Sequence, residues 1–346
     1  MRKIIDLYKE DLELQASRID LEKIKDKSFL VTGANGLICS YFVDLLVYLN
    51  ENKNANITIH ALARNIEKTQ KRYEYCKDKE YLKFVIQDVC EPIEIDGVDY
   101  ILHGASNATP NLYVEDPVGT MNSNYIGMLN ALNCAVKNNS KVVYISSSEV
   151  YGEPYGDKDM FTEDMSGYFD ILSVRSSYPS SKRAAETLCV AFKEQYGIDV
   201  CMVRPAHIYG PTITPSDKRA VADFIHNVLD DKDICMNSDG SAVRSYCYVG
   251  DAVAGIFKVF TNGESGSAYN ISNNEDIISI KELATLIAEL NNRKVIINVS
   301  NQNQKQVSKV KHIMIDNKKL SDLGWENKVD IKEGITKTVN ILKEMK

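Results

Sequence analysis

The stretch SSYPSSKRAAETLC, Ser176 to Cys189, sets Tyr178 four positions before Lys182 at the start of a helical pattern. On a helix that spacing puts both side chains on one face, a turn apart. A free phenol has a pKa near ~10 and is a poor base at neutral pH. An ammonium group beside it is expected to favour the phenolate and bring it into working range, which makes the two a candidate proton-transfer pair. Spacing alone does not choose this pair. YEYCKDK repeats it as Tyr73 with Lys77 and Tyr75 with Lys79, in a charged segment expected to be solvated.

A second chemical feature lies far upstream. SFLVTGANGLICSYFVDLLVYL reads as strand, glycine turn and helix. Gly33 permits the tight turn, and Gly36 lets the backbone approach a pyrophosphate seated on the helix N-terminus. Asn35, Leu37 and Ile38 fall in the same turn and helix start, as expected coenzyme contacts. Cys39 replaces the third glycine of the usual pattern, which normally allows close helix–strand packing. A cysteine is small enough to be tolerated there, or it loosens the coenzyme site. The next strand ends HALARN without the carboxylate that holds the ribose hydroxyls of NAD. Arg64 stands there and suits the 2′-phosphate of NADP, or is a surface arginine. Asp88 and Val89 close the third strand; Asp88 either accepts from an adenine amino group or caps the following turn.

These residues need a scaffold, and the apolar pattern supplies one. ITIHALAR, LKFVIQDV, VDYILHGAS, KVVYISSSEVYG and DVCMVRPAHIYG read as further strands, with helices between most of them, notably 118–137 and 180–196. Alternating strands and helices imply a parallel sheet covered on both faces, with ligands at the carboxyl ends of the strands. Apolar positions from Ile5 to Ile24 recur at helical intervals, giving one or two amphipathic helices before the first domain. After residue 205 the pattern loosens. A helix is expected near 218–230, SYCYVGDAVAGIFKVF looks like a return to the sheet, and SIKELATLIAEL and IKEGITKTVNILKEM are helical. The fold class is therefore α/β, a Rossmann-type doubly wound parallel sheet with a smaller, discontinuous substrate-binding lobe. The expected boundaries are a helical extension over 1–26, a dinucleotide-binding domain over 27–204 plus about 244–262, and a lobe from 205–243 and 263–346.

Composition bounds the function. The 346 residues carry 44% hydrophobic and 26% charged residues and a net charge of −7. Without clustered Lys and Arg, nucleic acid is not an expected partner. No stretch has the length of a membrane span, and the charged N-terminal stretch lacks a signal-peptide core. Eight cysteines without a C-x-x-C read as buried reduced thiols, and the expected location is cytoplasmic. His60, His103, His207, His226 and His312 show no ligand spacing, so no metal is expected. No G-x-S-x-G occurs.

TGANG, ISSSEVYG, YPSSK and RPAHIYGP, in that order, resemble the extended short-chain dehydrogenase/reductases that modify nucleotide sugars. The resemblance runs from about residue 27 to the end. It implies a tightly bound, internally recycled NAD or NADP, with Ala105 and Pro205 also beside it. It implies that Tyr178 takes the proton from a sugar hydroxyl at C4. Lys182 then holds the nicotinamide ribose, and Ser147 hydrogen-bonds the same hydroxyl. A 4-keto sugar can lose a 5-carboxylate, eliminate water across C5 and C6, or be reduced from the other face. Many 4,6-dehydratases of the family carry Asp–Glu where this chain has Ser148 and Glu149; UDP-glucuronate decarboxylases and GDP-mannose dehydratases have Ser–Glu. Arg175, Arg219 and Arg244 match the decarboxylase pattern, Arg244 at the position used near the substrate carboxylate and diphosphate. His207 stands where the family has asparagine. Asn107 is expected to touch the sugar, and Asn124 to be structural. The leading expectation is UDP-glucuronate decarboxylation, with 4,6-dehydration or 4-epimerisation as alternatives. A non-catalytic NAD(P)-sensing or structural protein is the distant rival. A nucleotide-diphosphate sugar is the expected ligand, and a homodimer through 118–137 and 180–196 the expected assembly.

Overall fold

The computed structural model describes residues 5–108, 112–154, 160–298 and 312–346. The main-sheet strands begin with β1 (Ser28–Thr32), β2 (Thr58–Ala63), β3 (Leu82–Ile86), β4 (Tyr100–His103) and β5 (Lys141–Ile145). There follow β6 (Met160–Phe161), β7 (Val200–Pro205), β8 (His207–Tyr209), β9 (Ile234–Met236) and β10 (Val243–Tyr248). The last are β11 (Ala268–Ile271), β12 (Ile277–Ser279), β13 (Val295–Ile297) and β14 (His312–Ile315). The helices start with α1 (Asp6–Ala16), α2 (Leu37–Lys53), α3 (Ile66–Arg72), α4 (Leu112–Glu115), α5 (Pro117–Asn138) and α6 (Ser177–Tyr196). They continue with α7 (Ala220–Leu229), α8 (Val249–Asn262), α9 (Ile280–Leu290), α10 (Lys318–Ser321) and α11 (Ile331–Glu344).

Seven strands form one sheet in the order β11-β7-β5-β4-β1-β2-β3, every pair parallel. Parallel neighbours need crossovers, and the helices that make them cover both faces. Accordingly β1 is buried at all five positions. Helix α2 is buried without interruption from Cys39 to Leu49, because it lies between the sheet, α1 and α8. The sequence reading differs in two places. Ala268–Ile271, assigned to the smaller lobe, is the edge strand of the main sheet. Val243–Tyr248 instead pairs with β8, β12 and β14 in the smaller lobe, while α8 behind it packs on the main sheet.

The N-terminal segment packs on the core of its own chain. Tyr8, Leu12, Ala16 and Ile24 are buried there. The Asp11 carboxylate accepts from Tyr41 of α2 and Tyr248 before α8, each at 2.7 Å, and lies 3.6 Å from Lys337 of α11. Asp44, fully buried on α2, accepts from Tyr8 at 2.5 Å and Tyr75 at 2.6 Å, and pairs with Arg72 at the end of α3. The segment holding Tyr73 and Tyr75 is therefore not a solvated surface. Tyr73 is fully buried, and its hydroxyl donates to the Ala34 carbonyl in the glycine turn at 2.5 Å.

Arg72→Met leaves the Asp44 carboxylate buried without its cation, a change that costs about 3–5 kcal/mol. Urea denaturation should show a loss of that order; a loss below about 1 kcal/mol contradicts this account of the α1–α2–α3 junction.

Candidate active site

The carboxyl ends of β1, β4, β5 and β7 open into a cleft of about 1210 Å³. Three local features build its coenzyme end. Gly33 has φ +70°, and a Cβ there meets the Ala105 backbone at 2.8 Å, so only glycine fits. Gly36 precedes the first turn of α2, whose unpaired N–H groups suit a phosphate. Thr32 Oγ1 accepts from the backbone N–H groups of Gly104 and Ala105, both at 3.2 Å, tying β1 to the end of β4. Gly36, Leu37, Ile38 and Pro205 line the cleft.

Cys39 is accommodated by Gly104 at the end of β4. A Cβ on Gly104 would meet the Cys39 sulfur at 2.3 Å. The thiol therefore occupies the space that a side chain after β4 would need. Helix and sheet stay closely packed here, with the small residue on the strand side. Burial pushes the thiol up to about 12, with Lys182 opposing weakly, so it is a neutral filler.

Other coenzyme expectations fall differently. Asn35 donates its side chain to Thr69 of α3 at 2.9 Å. Val89 is a core residue packed against Gly127, and its carbonyl accepts from Asn130. Asp88 caps the following turn through the Cys90 N–H at 2.9 Å, and its other oxygen lies 3.8 Å from Arg64, which is 68% exposed.

The candidate chemical residues converge at the other end. Lys182, fully buried on α6, donates from Nζ to the Ile145 carbonyl at the end of β5, at 2.7 Å. Its Nζ lies 4.7 Å from the Tyr144 ring centre and 5.7 Å from that of Tyr178. Ser147 accepts the Glu149 N–H at 3.1 Å, capping the short turn Ser148–Tyr151, and its hydroxyl is among the groups that favour the Tyr178 phenolate. The electrostatics correct one expectation. Tyr178 is pushed up to about 12, chiefly by burial and then by the Glu149 charge, while Ser147, Tyr113 and Arg219 oppose. Lys182 is itself pulled down to about 7 by burial. Desolvation disfavours both charges, so the lysine alone does not yield a phenolate at neutral pH.

Around this pair lie three arginines. Arg175 is 3.9 Å from Glu149, and the charges of Arg175 and Arg244 both bear on that carboxylate, which burial nevertheless raises. Arg244 is buried and donates to the Val243 carbonyl at 2.7 Å. Arg219 grips Asp217 at 2.7 Å beside them. Ser148, Glu149, Arg175, His207, Arg219 and Arg244 all line the cleft. Burial and the two nearby arginines Arg244 and Arg219 pull His207 down to about 3, so it is neutral; its Nδ1 is buried without a partner. Asn107 sits outside the cleft lining, donating to Asp116 at 3.3 Å. Asn124 is buried and donates to Ser181, a structural part. Sequence reasoning missed Tyr113 on α4, whose ring stacks on Tyr178. Among the described residues no cluster of His, Cys, Asp and Glu has metal-site geometry, and no helix is long and apolar enough to cross a membrane.

Comparison with known proteins adds to this geometry. A model of the NAD dependent epimerase/dehydratase family matches residues 29–272. UDP-glucuronic acid decarboxylase 6 of Arabidopsis thaliana is 32% identical over 313 residues, covering 88% of this chain and 86% of that protein. UDP-glucuronic acid decarboxylase 1 of Xenopus tropicalis is 31% identical, covering 92% and 72%. The crystal structure of a dTDP-glucose 4,6-dehydratase from Streptomyces venezuelae with NAD bound superposes with a TM-score of 0.78 at 25% identity, covering 92% of this chain and 97% of that one. A UDP-glucuronic acid 4-epimerase from Bacillus cereus gives 0.77 at 21%, covering 92% and 100%.

The paired sizes of Cys39 and Gly104 make a test by double substitution. Gly104→Ala alone should clash with the sulfur, lowering coenzyme affinity about tenfold or more in a fluorescence titration. Cys39→Ala alone should cost about 1 kcal/mol for the void. The double variant should recover most of the affinity; equal damage from Gly104→Ala in both backgrounds contradicts the pairing.

Proposed function

We propose, for a chain that belongs to the NAD-dependent epimerase/dehydratase family, the oxidative decarboxylation of a nucleotide-diphosphate uronic acid, with UDP-glucuronate as the substrate. The observation that carries this reading is the placement beside Tyr178 of Arg175, 3.9 Å from Glu149, and of Arg244, whose charge also bears on that carboxylate. Guanidinium groups bind carboxylates in a fixed geometry. They suit a sugar that brings its own carboxylate to C5.

The chemistry follows from that placement. The bound nicotinamide coenzyme supplies the hydride acceptor at C4 and the hydride for the later reduction. Tyr178 takes the proton of the C4 hydroxyl, and Ser147 bonds the same oxygen. The C5 carboxylate is then β to a ketone, so the C4–C5 framework accepts the electron pair when the bond to carbon dioxide breaks. The enolate oxygen at C4 is held by the Ser147 hydroxyl and by the proton now on Tyr178. A proton taken up from solvent at C5 restores the ketone, and reduction at C4 returns the proton from Tyr178 to the C4 oxygen. Lys182 holds the nicotinamide ribose and supplies charge beneath the phenol when protonated. Arg219 and His207 suit the diphosphate and sugar, with His207 acting as a neutral hydrogen-bonding group. The alternative of 4,6-dehydration needs an acid to expel the C6 hydroxyl; Ser148 cannot supply it, and Glu149 would have to serve.

At the adenosine end, the Arg64–Asp88 pair accepts either coenzyme: Asp88 serves a 2′-hydroxyl and Arg64 a 2′-phosphate. The exposed stripe Val118, Met121 and Tyr125 on α5, with Val190 on α6, supports a homodimer through these two helices.

Incubation with UDP-, GDP-, dTDP- and CDP-sugars, read by mass spectrometry, should show loss of carbon dioxide from UDP-glucuronate. Tyr178→Phe should slow that reaction by about 10²–10⁴-fold. Loss of water from a neutral hexose, or inversion at C4 without mass change, contradicts the proposal.

A further inference from the structure

A second phenol stacks on the proposed base. Tyr113, on the short helix α4, is 2% exposed. Its ring lies parallel to that of Tyr178, with centroids 4.3 Å apart and planes 8° off parallel. Aromatic pairs commonly sit edge-to-face or offset at wider separations, so a close parallel pair fixes both ring planes. Two further bonds hold Tyr113 in register. Its carbonyl accepts from Ser177 Oγ, the residue before Tyr178, at 3.1 Å. Its hydroxyl donates to the Ala108 carbonyl at 3.2 Å. The Arg175 guanidinium lies 5.9 Å from the ring centre.

We infer that Tyr113 is a positioning residue for Tyr178: its ring sets the plane of the base, and its hydroxyl turns to donate to the oxygen that receives the sugar proton. This rests on the proposed role of Tyr178 as that base. The electrostatics agree with the geometry. The Tyr113 hydroxyl is among the groups that lower Tyr178, whereas Tyr113 itself is driven far above the phenol range by burial and by Tyr178. Two stacked phenols cannot both ionise, so the pair gives one phenolate, on Tyr178, with Tyr113 kept neutral as donor. To donate, the Tyr113 hydroxyl rotates its single proton from the Ala108 carbonyl to the Tyr178 oxygen. No bond is made or broken at Tyr113. The groups facing Tyr178 besides Tyr113 are Ser147 and Glu149 from the β5 end, Lys182 one turn along α6, and Arg219 from the smaller lobe.

Tyr113→Phe keeps the stack and removes the donor; Tyr113→Leu removes both. Both are compared with Tyr178→Phe, under single-turnover conditions on the nucleotide sugar the protein turns over. Tyr113→Phe should lower the oxidation rate about tenfold with KM changed less than about twofold, since a hydrogen bond to a charged group is worth about 1.5–3 kcal/mol. The acid limb of its pH profile should move to higher pH, because losing a donor raises the pKa of the base. Tyr113→Leu should be slower still. A raised KM with the rate and acid limb unchanged makes Tyr113 a substrate contact and overturns the inference. If Tyr178→Phe also keeps the wild-type rate, the base itself is misassigned and both readings fall. An inactive Tyr178→Phe beside an unaltered Tyr113→Phe overturns the inference alone.

Discussion

One hydrogen bond organises the site: the buried Lys182 amino group donates to the Ile145 carbonyl where β5 leaves the sheet. It ties α6 to that strand at a fixed point. Tyr178 lies one turn before Lys182 on the helix, and Ser147 and Glu149 lie two and four residues beyond Ile145 on the loop. A single contact thus sets Tyr178, Ser147 and Glu149 at one spacing. Its cost is desolvation, which draws the lysine down to about 7 and the phenol up to about 12. The site stores neutral groups and depends on ligands and neighbouring donors to develop charge, which is how a buried acid–base centre avoids carrying unpaired ions.

The coenzyme end follows the same economy of buried polar groups. The glycine turn is fastened to α3 through Tyr73 on the Ala34 carbonyl and Asn35 on Thr69. Helix α3 is fastened in turn by Arg72 on Asp44, and Asp44 by Tyr8 of the N-terminal helix. Asp11 links that helix to α2, to α8 and, through Lys337, to α11 of the smaller lobe. The N-terminal segment therefore supports the glycine turn and joins the two lobes behind it.

Much of this is readable from sequence where a pattern is local. The turn TGANGLIC announces Gly33 and Gly36 because strand, glycine and helix adjoin. The strands of the main sheet stand out because both faces are covered and their apolar runs are continuous. Patterns that depend on distant partners are not readable. Cys39 looks like a defect until Gly104, far along the chain, is brought beside it. Tyr73 and Tyr75 look solvated among charges, yet Ala34 and Asp44 take their hydroxyls into the core. Tyr113 belongs to a four-residue helix with no periodicity to mark it. Strands of two to four residues in the smaller lobe carry too few positions for alternation, and β11 joins the main sheet only through pairing with β7.

The central claim is that oxidation at C4 by a recycled coenzyme precedes loss of the carboxylate. UDP-glucuronate deuterated at C4, turned over in ordinary water and examined by NMR, tests it directly. The account predicts a primary isotope effect on coenzyme reduction and a decarboxylated product that keeps deuterium at C4, returned by the same coenzyme molecule. Product formed with no isotope effect on that step and with hydrogen from solvent at C4 would contradict it.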